Sequence, residues 1–214
     1  MSARSDTTAP LGVGSRATRL VPSTLSARLH ADPPHREATR AFQAARRAFF
    51  AGEKIEMGPL AAELGVDRTS LFRWVGNRDE LLAEVLWSLA EASLDHAEAE
   101  ARGQGAERVA DVLGRFVDGL VTAEYFRGFL AREPQRALRL MTTSESEIQH
   151  RYVAAVEELL AAHLPDAGRG GLPRHDLAYL IVRISETFSY ADLIAGEEPS
   201  AERARAAFAL VLGT

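Results

Sequence analysis

The 214-residue sequence contains no cysteine. This absence excludes disulfides, thiolate metal sites and cysteine nucleophiles, and it agrees with a reducing compartment. Long apolar runs are also missing, because a stretch such as Leu177–Val182 falls far short of the roughly 20 residues that span a bilayer. The N-terminal residues lack the apolar segment of a signal peptide. We therefore expect a cytoplasmic protein that has no membrane partner.

The motifs of common enzyme classes are missing too. The six histidines show no metal-ligand spacing such as His-Glu-x-x-His, and there is no phosphate-binding loop or Gly-x-Ser-x-Gly nucleophile elbow. Glu145, Glu147 and His150 bring carboxylates and an imidazole together in sequence. Such residues more often form a solvated first turn, where acids interact favourably with the helix dipole. We expect no metal and no cofactor, and an enzyme is a distant second hypothesis.

The sequence is rich in helix-forming residues. Ala, Leu, Arg and Glu are its commonest letters, and runs of β-branched residues are scarce. Hydrophobic residues make up 46% of the chain, which is enough for a packed interior. Apolar periodicity predicts helices, and no pair of runs has the turn chemistry of a β-hairpin. The predicted fold class is all-α.

Charge is divided unevenly along the chain. Residues 1–82 hold twelve Lys/Arg and nine Asp/Glu, a net charge of +3, whereas residues 83–214 hold thirteen and twenty-one, a net charge of −8. This asymmetry suits a small domain that faces phosphates and a larger one that does not. We expect a disordered N-terminal arm over 1–33, a three-helix domain over 34–82 and a larger helical domain over 83–214.

The expected arm is rich in Ser, Thr, Pro and Arg and shows no periodicity. It carries four arginines, Arg4, Arg16, Arg19 and Arg28. Two interpretations stand. The arm is either an extension that contacts the DNA minor groove or backbone, as in some helical DNA-binding proteins, or a disordered tail with no role.

Capping residues and periodicity set the expected helix bounds. Order is expected to begin at Asp32-Pro33-Pro34, with a first helix that ends near Gly52. Two short helices follow over 59–64 and 68–74, and a capping box at 77–80 begins a long helix to about residue 101. A second capping box is expected at Ser144–Glu147. The remaining predicted helices span 107–122, 124–132, 134–141, 145–163, 173–195 and 199–212.

Residues 59–82 have the pattern of a helix-turn-helix. Gly65 permits the positive φ angle that a tight turn between crossed helices requires. Asp67 can cap the second short helix, whose buried side carries Leu71 and Val75. The exposed side of that helix presents side chains able to reach base edges or phosphates from the major groove, namely Arg68, Thr69, Ser70 and Arg73.

This stretch, PLAAELGVDRTSLFRWVGNRDELL, resembles the N-terminal domain of TetR-type transcriptional regulators. The positions that carry the resemblance are Leu60-Ala61, Gly65-Val66, Asp67, Leu71-Phe72-Arg73-Trp74-Val75, Arg78 and Leu81-Leu82. The resemblance implies that residues 34–82 bind double-stranded DNA. It also implies that the acidic helical remainder forms a homodimer and holds a small-molecule effector.

Some positions depart from the family pattern. Phe72 lacks the hydroxyl of the usual Tyr, so one phosphate hydrogen bond is missing there. Trp74 replaces a His or Tyr and still offers its indole N–H, and Arg78 replaces a Lys. We expect Trp74, Arg78 and Lys54 to hold phosphates, while Phe72 completes the DNA-binding surface.

Two C-terminal segments, RGFLAREPQRALRLMTT at 127–143 and RISETFSYADLIAGEEPS at 183–200, resemble the ligand-binding domain of QsdR-type family members. These members regulate quorum-signal-degrading lactonases. The resemblance implies a lactone-like or other acyl effector.

The same helices supply candidates for a ligand pocket. Most apolar candidates are expected to serve also as plain core. Buried polar groups need partners, so the polar candidates pair with one another, line a pocket or cross a dimer seam. The candidate set is Phe116, Leu120, Phe126, Phe129, Leu130, Met141, Tyr152, Arg183, Ile184, Glu186, Thr187 and Tyr190.

The helix expected over 173–195 is apolar on more than one face, so it needs cover on both sides. In the family that the sequence resembles, this cover implies a four-helix seam between two copies. A symmetric dimer would read a palindromic operator whose half-sites lie roughly 34–36 Å apart, or a multiple of that distance. The leading hypothesis is a repressor in which the effector shifts the long helix after Asn77. The alternative is a helical DNA-binding module without a ligand.

Overall fold

The computed structural model describes residues 23–165 and 171–214. Within these ranges the chain folds into twelve α-helices and no strand, which confirms the all-α fold class. The helices are α1 Thr24–Leu29, α2 Arg36–Phe50, α3 Met57–Leu64, α4 Arg68–Val75, α5 Arg78–Glu100, α6 Gly105–Thr122, α7 Glu124–Arg132, α8 Pro134–Thr142, α9 Ile148–His163, α10 Arg174–Ser189, α11 Ala191–Ile194 and α12 Ala201–Leu212.

Helix α1 is a departure from the sequence prediction. The Ser23 side chain caps it by accepting a 2.9 Å hydrogen bond from the Ser26 backbone N–H, and Leu25 is buried in the core. The prediction of a disordered arm is therefore wrong for residues 24–29, whose six-residue helix is too short to show periodicity. Residues 1–22 of the expected arm, with Arg4, Arg16 and Arg19, lie outside the described residues.

Helices α2, α3 and α4 form the expected helix-turn-helix unit. Gly65 ends α3 with a φ angle of 69°, and the Asp67 carboxylate caps α4 by accepting a 2.9 Å hydrogen bond from the Ser70 N–H. Leu71 and Val75 are fully buried. Helix α2, however, begins after His35, whose ring accepts from the Ala38 N–H. The cap is thus not Asp32.

Helix α5 is the longest in the described chain. It begins with the predicted capping box, in which the Asn77 side chain accepts from the Glu80 N–H and the Glu80 carboxylate accepts from the Asn77 N–H. Its 23 residues run from the helix-turn-helix unit into the C-terminal part. Both parts of the chain are therefore joined by one continuous helix.

Two later elements differ from the prediction. Helix α9 begins at Ile148 without a capping side chain, because Ser146 bonds back to the Leu140 carbonyl and Glu147 accepts hydrogen bonds from Ser23 and Arg151. The helix expected over 173–195 is divided into α10 and α11, because the backbone leaves the helical region at the buried Tyr190.

The buried apolar residues form two clusters. The first, which we call the head core, contains the buried residues of α1–α4, the start of α5, α7 and α8, together with Ile148 and Tyr190. The second, the body core, contains the buried residues of the later part of α5, of α6, of α9 from Tyr152, of α10 and of α12. The Phe49 ring lies 5.5 Å from that of Phe129, so α7 packs directly on α2. The predicted boundary at residue 82 is therefore not the packing boundary.

No helix among residues 23–165 and 171–214 is long and apolar enough to cross a membrane. The same residues contain no cluster of three or more His, Asp or Glu side chains arranged to hold a metal ion.

Candidate nucleic-acid interface and ligand cavity

The outer face of α4 forms what we call the reading surface, which consists of Arg68, Thr69, Phe72 and Arg73. All four side chains are exposed, on the side opposite the buried Leu71 and Val75. The Arg68 guanidinium lies 6.0 Å from the centre of the Phe72 ring. Arginine and threonine can donate to base edges and phosphates, so this surface is able to contact a DNA major groove.

Ser70, expected on the same surface, is engaged at the start of the helix. Its hydroxyl donates to the Asp67 carboxylate at 2.7 Å, and its N–H donates to the other carboxylate oxygen. These hydrogen bonds hold the pKa of Asp67 below its ordinary value. Ser70 is therefore held by the Asp67 cap of α4, and its hydroxyl already has a partner.

The expected phosphate contacts Lys54 and Trp74 lie in different surroundings. Lys54 is exposed just before α3, and its ammonium lies 2.5 Å from the Glu56 carboxylate, whose pKa it lowers. Trp74 is half-buried and packs against the head core. Lys54 therefore remains accessible to a phosphate, whereas most of Trp74 serves packing.

Arg78, expected to hold a phosphate, is engaged within the protein. Its guanidinium donates to both oxygens of Glu133 at 2.6 and 2.8 Å, and its Nε donates to the Ile55 carbonyl. Only 17% of the Arg78 side chain and 14% of the Glu133 side chain are exposed. The hydrogen bonds to Arg78 lower the pKa of Glu133. Arg78 thus ties the start of α5 to the junction between α7 and α8.

A second set of ion pairs strengthens this tie. The Asp79 carboxylate accepts hydrogen bonds from Arg139, at 2.5 Å, and from Arg136, both on α8. Arg136 also lies 3.0 Å from Glu133. The N-terminus of α5, directly after the reading helix, is therefore fixed to α8 by charge-assisted hydrogen bonds.

A cavity of about 60 Å³ lies between the head core and the body core. Its walls combine Leu86, Phe126, Met141 and Tyr190 from the head core with residues of the body core such as Trp87. The lining residues are Leu86, Trp87, Leu89, Ala90, Ser93, Phe116, Gly119, Leu120, Ala123, Tyr125, Phe126, Met141, Ile148, Tyr152, Glu186 and Tyr190. Anything that enters this space touches both cores.

Glu186 is the ionisable acid of this cavity and is 3% exposed. Gln149 donates to one of its carboxylate oxygens at 3.2 Å, while the guanidinium of Arg183 lies 2.5 Å from the other without an aligned hydrogen bond. Burial raises the pKa of Glu186 to about 7, against the opposing charge of Arg183. Near neutral pH the carboxyl group therefore either donates or accepts a hydrogen bond.

Two tyrosines add hydroxyl groups to the wall. Tyr152 donates to the Ser185 hydroxyl at 2.9 Å, and the Tyr190 hydroxyl lies 3.5 Å from the Met141 sulfur. Burial raises the pKa of both tyrosines. They remain neutral at physiological pH, so the cavity is an apolar space with a few polar groups, as is usual for small-molecule sites.

Comparison with known proteins gives this geometry its context. A family model described as "Tetracyclin repressor-like, C-terminal domain" matches residues 104–213. The solved structure of the R. erythropolis transcriptional repressor QsdR, from the TetR family, superposes with a TM-score of 0.73. It is 35% identical and covers 82% of this chain and 94% of its own. This chain belongs to the TetR family. No curated protein sequence matches it.

The family resemblance inferred from the sequence is thereby confirmed. The TetR-family chain is a ligand-responsive transcriptional regulator and not an enzyme. Regulators of this family bind DNA and small-molecule effectors.

The structure brings seven of the twelve expected pocket residues of this TetR-family regulator to the cavity wall. They are Phe116, Leu120, Phe126, Met141, Tyr152, Glu186 and Tyr190.

The other five expected residues lie elsewhere. Phe129 and Leu130 are buried inside the head core, where the Phe129 ring packs on Phe49 of α2. Thr187 is exposed and donates to the Arg183 carbonyl, while Ile184 packs against the body core. Arg183 is 43% exposed and reaches the cavity only through Glu186. Sequence periodicity places residues on a helix but not the helix around a cavity, which explains why these five do not line it.

The sequence analysis missed the contribution of α5 to the wall. Leu86, Trp87, Leu89, Ala90 and Ser93 cover one side of the cavity. The signal that could have found them is that α5 carries apolar residues on several faces in this segment, so it needs cover on more than one side. The helix that begins beside the reading surface therefore also lines the cavity.

Proposed function

We propose that this TetR-family regulator is a cytoplasmic repressor that binds a palindromic operator as a homodimer. A small hydrophobic, lactone-like effector in the cavity releases it. The position of the cavity carries this proposal, because the effector would lie between the core that holds the reading helix and the core that holds the rest of the C-terminal part.

DNA recognition is assigned to the reading surface. Arg68, Thr69 and Arg73 contact base edges and backbone in the major groove, while Phe72 gives apolar contact and Lys54 meets a phosphate. The N-terminal 82 residues carry a net charge of +3, against −8 for the remainder. This distribution favours the approach of DNA to the α4 side of the molecule.

The dimer seam is assigned to α10 and α12, which pack against each other. Tyr179 and Leu180 on α10 and Leu210 on α12 are 50%, 41% and 83% exposed. Helix α9 is largely buried by its neighbours within the chain. Two copies that pair α10 and α12 form a four-helix seam and cover these apolar side chains.

Gating follows from the place of the cavity. An effector that fills it displaces the helices that line it, α5 among them, and the displacement is passed to α4 in the head core. A loss of ten- to hundredfold in DNA affinity needs a coupling of roughly 1.4–2.8 kcal/mol. This coupling lies within the ordinary range for allosteric proteins.

The effector class is supported by the walls and by the resemblance of residues 127–143 and 183–200 to QsdR-type domains. Apolar side chains suit an alkyl chain. Protonated Glu186 is able to donate a hydrogen bond to a lactone carbonyl, and neutral Tyr152 and Tyr190 lie beside it. A lactone with a short alkyl substituent would contact the apolar side chains with its alkyl group and the polar groups with its carbonyl.

Selection of genomic fragments by the purified full-length protein tests the DNA-binding part. The salt concentration is fixed near its physiological value, because backbone binding is strongly salt-dependent. Enrichment of one palindromic site supports the proposal, and enrichment of nothing above background contradicts it.

A thermal-shift screen with alkyl-substituted lactones and matched carboxylic acids tests the effector part. A lactone that raises the melting temperature and also lowers affinity for the selected site supports gating. A lactone that stabilises the fold without changing DNA affinity contradicts gating. The absence of any stabilising compound favours a DNA-binding module without a ligand.

A further inference from the structure

Helix α1 contacts the end of the reading helix. The Arg28 guanidinium donates to the backbone carbonyls of Arg73 and Trp74, the latter at 2.7 Å. Carbonyls in the last turn of a helix lack intrahelical partners, and a cation there interacts favourably with the helix dipole. Arg28 therefore helps to fix the C-terminal turn of α4, from which Arg73 projects.

The other end of α1 contacts a buried ion pair. The Ser23 hydroxyl donates to the Glu84 carboxylate at 2.7 Å, and the Ser23 N–H donates to Glu147 at 3.2 Å. Glu84, on α5, and Arg151, on α9, form a two-point ion pair at 2.7 and 3.1 Å, and both side chains are 6% exposed. Arg151 also donates to Glu147 at 2.5 Å. Ser23 thus binds both acids that Arg151 pairs with.

This ion pair lies directly behind the cavity wall. The Arg151 guanidinium is 5.9 Å from the ring of Trp87, a lining residue. The neighbouring Ile148 and Tyr152 line the cavity as well. Buried charges are strongly destabilising when they lose a partner, so Glu84 on α5 and Arg151 on α9 stay paired and move as one unit when the cavity wall is displaced. A shift of this unit moves Ser23, and with it α1.

We propose that α1 is the coupling element through which the cavity acts on the reading helix. The chain of contacts runs from Trp87 to the Glu84–Arg151 pair, to Ser23, along α1 to Arg28, and to the C-terminal turn of α4. The inference rests on the gating in the proposed function, and it assigns that gating to a specific segment. Ser23 and Arg28 are positioning residues, which act through α4 and not on the effector.

The cavity can be filled without knowing the effector. Ala90→Leu places a larger side chain into the space from α5, and Ala92→Leu, at an exposed position of the same helix, is the matched control. Both α5 substitutions are combined with Arg28→Ala. They are also combined with Arg132→Ala, which removes an exposed arginine and serves as the control. Thermal unfolding of each full-length variant verifies that it is folded.

Two readouts separate this inference from the proposed function. The first is amide hydrogen exchange of residues 68–77 without DNA, and the second is affinity for the selected duplex. Ala90→Leu is expected to speed exchange in this segment several-fold and to weaken DNA binding about tenfold. Both changes are expected to vanish in the Arg28→Ala background and to persist in the Arg132→Ala background.

Each outcome has a distinct meaning. If Ala90→Leu changes exchange equally with and without Arg28, the coupling bypasses α1 and the inference is overturned. If exchange responds through Arg28 but DNA affinity does not change, α1 transmits the signal and gating of DNA binding is wrong. If exchange in residues 68–77 does not respond to filling at all, the inference fails irrespective of the DNA result.

A substitution pair at Ser23 gives an independent test. Ser23→Asn keeps both a capping acceptor for the Ser26 N–H and a donor for Glu84, whereas Ser23→Asp keeps the cap but repels Glu84. With Ala90→Leu, the Asn variant is expected to retain the exchange response and the Asp variant to lose it. Equal responses in the two variants would overturn the assigned path.

Discussion

The head core and the body core differ in the interactions that hold their helices together. The head core joins the helix-turn-helix unit to α7 and α8, and charge-assisted hydrogen bonds such as Arg78–Glu133 secure that junction. The body core is sealed by apolar helix packing between α6, α9, α10 and α12. The cavity lies where the two cores meet. In the proposed gating, the division that matters is therefore between these cores and not between the N-terminal helices and the rest.

Two carboxylates show the same contrast. Glu133, in the junction of the head, receives hydrogen bonds from Arg78, and its pKa is lowered. Glu186, in the cavity wall, is desolvated, and its pKa is raised to about 7. The first charge is strongly satisfied by the fold, whereas the second is only partly satisfied. A partly satisfied buried acid is suited to respond to a ligand.

The largest expected effect comes from truncating one aromatic side chain in each core. Phe49→Ala and Phe208→Ala remove rings that are 2% and 0% exposed, so each is expected to lower the free energy of unfolding by about 3–5 kcal/mol. Urea denaturation measures this loss. Native-state hydrogen exchange is expected to rise first in α2 and α7 for Phe49→Ala, and first in α6 and α12 for Phe208→Ala. A uniform rise in both variants would show that the cores are one cooperative unit.

The next effect concerns the Glu84–Arg151 ion pair between α5 and α9. Arg151→Met leaves the buried Glu84 carboxylate without its cation, and we expect a loss of about 3 kcal/mol in unfolding free energy. The double substitution Glu84→Met/Arg151→Met removes both charges and is expected to lie within about 1 kcal/mol of the wild type. Chemical denaturation of the three proteins gives these values. A double variant as unstable as Arg151→Met would contradict the assumption that the unpaired charge is the cause.

Glu186 and Glu133 predict opposite changes of the free energy of unfolding with pH. Because the folded pKa of Glu186 is raised from 4.5 to about 7, the folded state holds this proton more tightly, and stability falls as pH rises from about 4.5 to 7. The loss is about 3 kcal/mol and is complete above pH 7. The lowered pKa of Glu133 stabilises the fold above its ordinary pKa, and that contribution is lost as pH falls.

The difference between the wild type and Glu186→Gln isolates the first contribution, since both proteins retain Glu133. Unfolding free energies measured from pH 4 to 8 are expected to converge at low pH and to favour the Gln variant at high pH. A constant difference across that range would mean that the Glu186 pKa is not raised.

Much of this fold was accessible from sequence because local rules govern it. The Asn77 capping box, the Asp67 cap and the Gly65 turn act within a few residues, and all three are confirmed. The side chains whose surroundings differ from the prediction have partners that are distant in sequence. Arg78 has the charge of a phosphate contact, but Glu133, 55 residues away, occupies its guanidinium.

The cavity shows the same limit. Tyr190 and Glu186 line it, yet Phe129 and Leu130 lie one turn further along α7 than Phe126, inside the head core, and the α5 wall was missed. Helix α1 was missed because six residues with one buried Leu25 give no periodic signal. Local sequence thus indicates which residues a helix buries, but not against what.

The smallest of these effects tests the reading surface itself, which the head core supports but does not contain. Arg73→Ala removes an exposed side chain from α4, so the fold should keep its stability, while affinity for the selected duplex should fall by about 1–3 kcal/mol if Arg73 contacts a base edge. Specificity at one base position should relax at the same time, whereas loss of a phosphate contact at Lys54→Ala should weaken binding to all sequences alike. Fluorescence anisotropy at fixed salt with the selected duplex and single-base variants measures both changes.

Because Arg28 holds the backbone carbonyl of Arg73, Arg28→Ala should also weaken binding without altering base preference. If Arg73→Ala leaves affinity and specificity unchanged, the surface that reads DNA is not this face of α4.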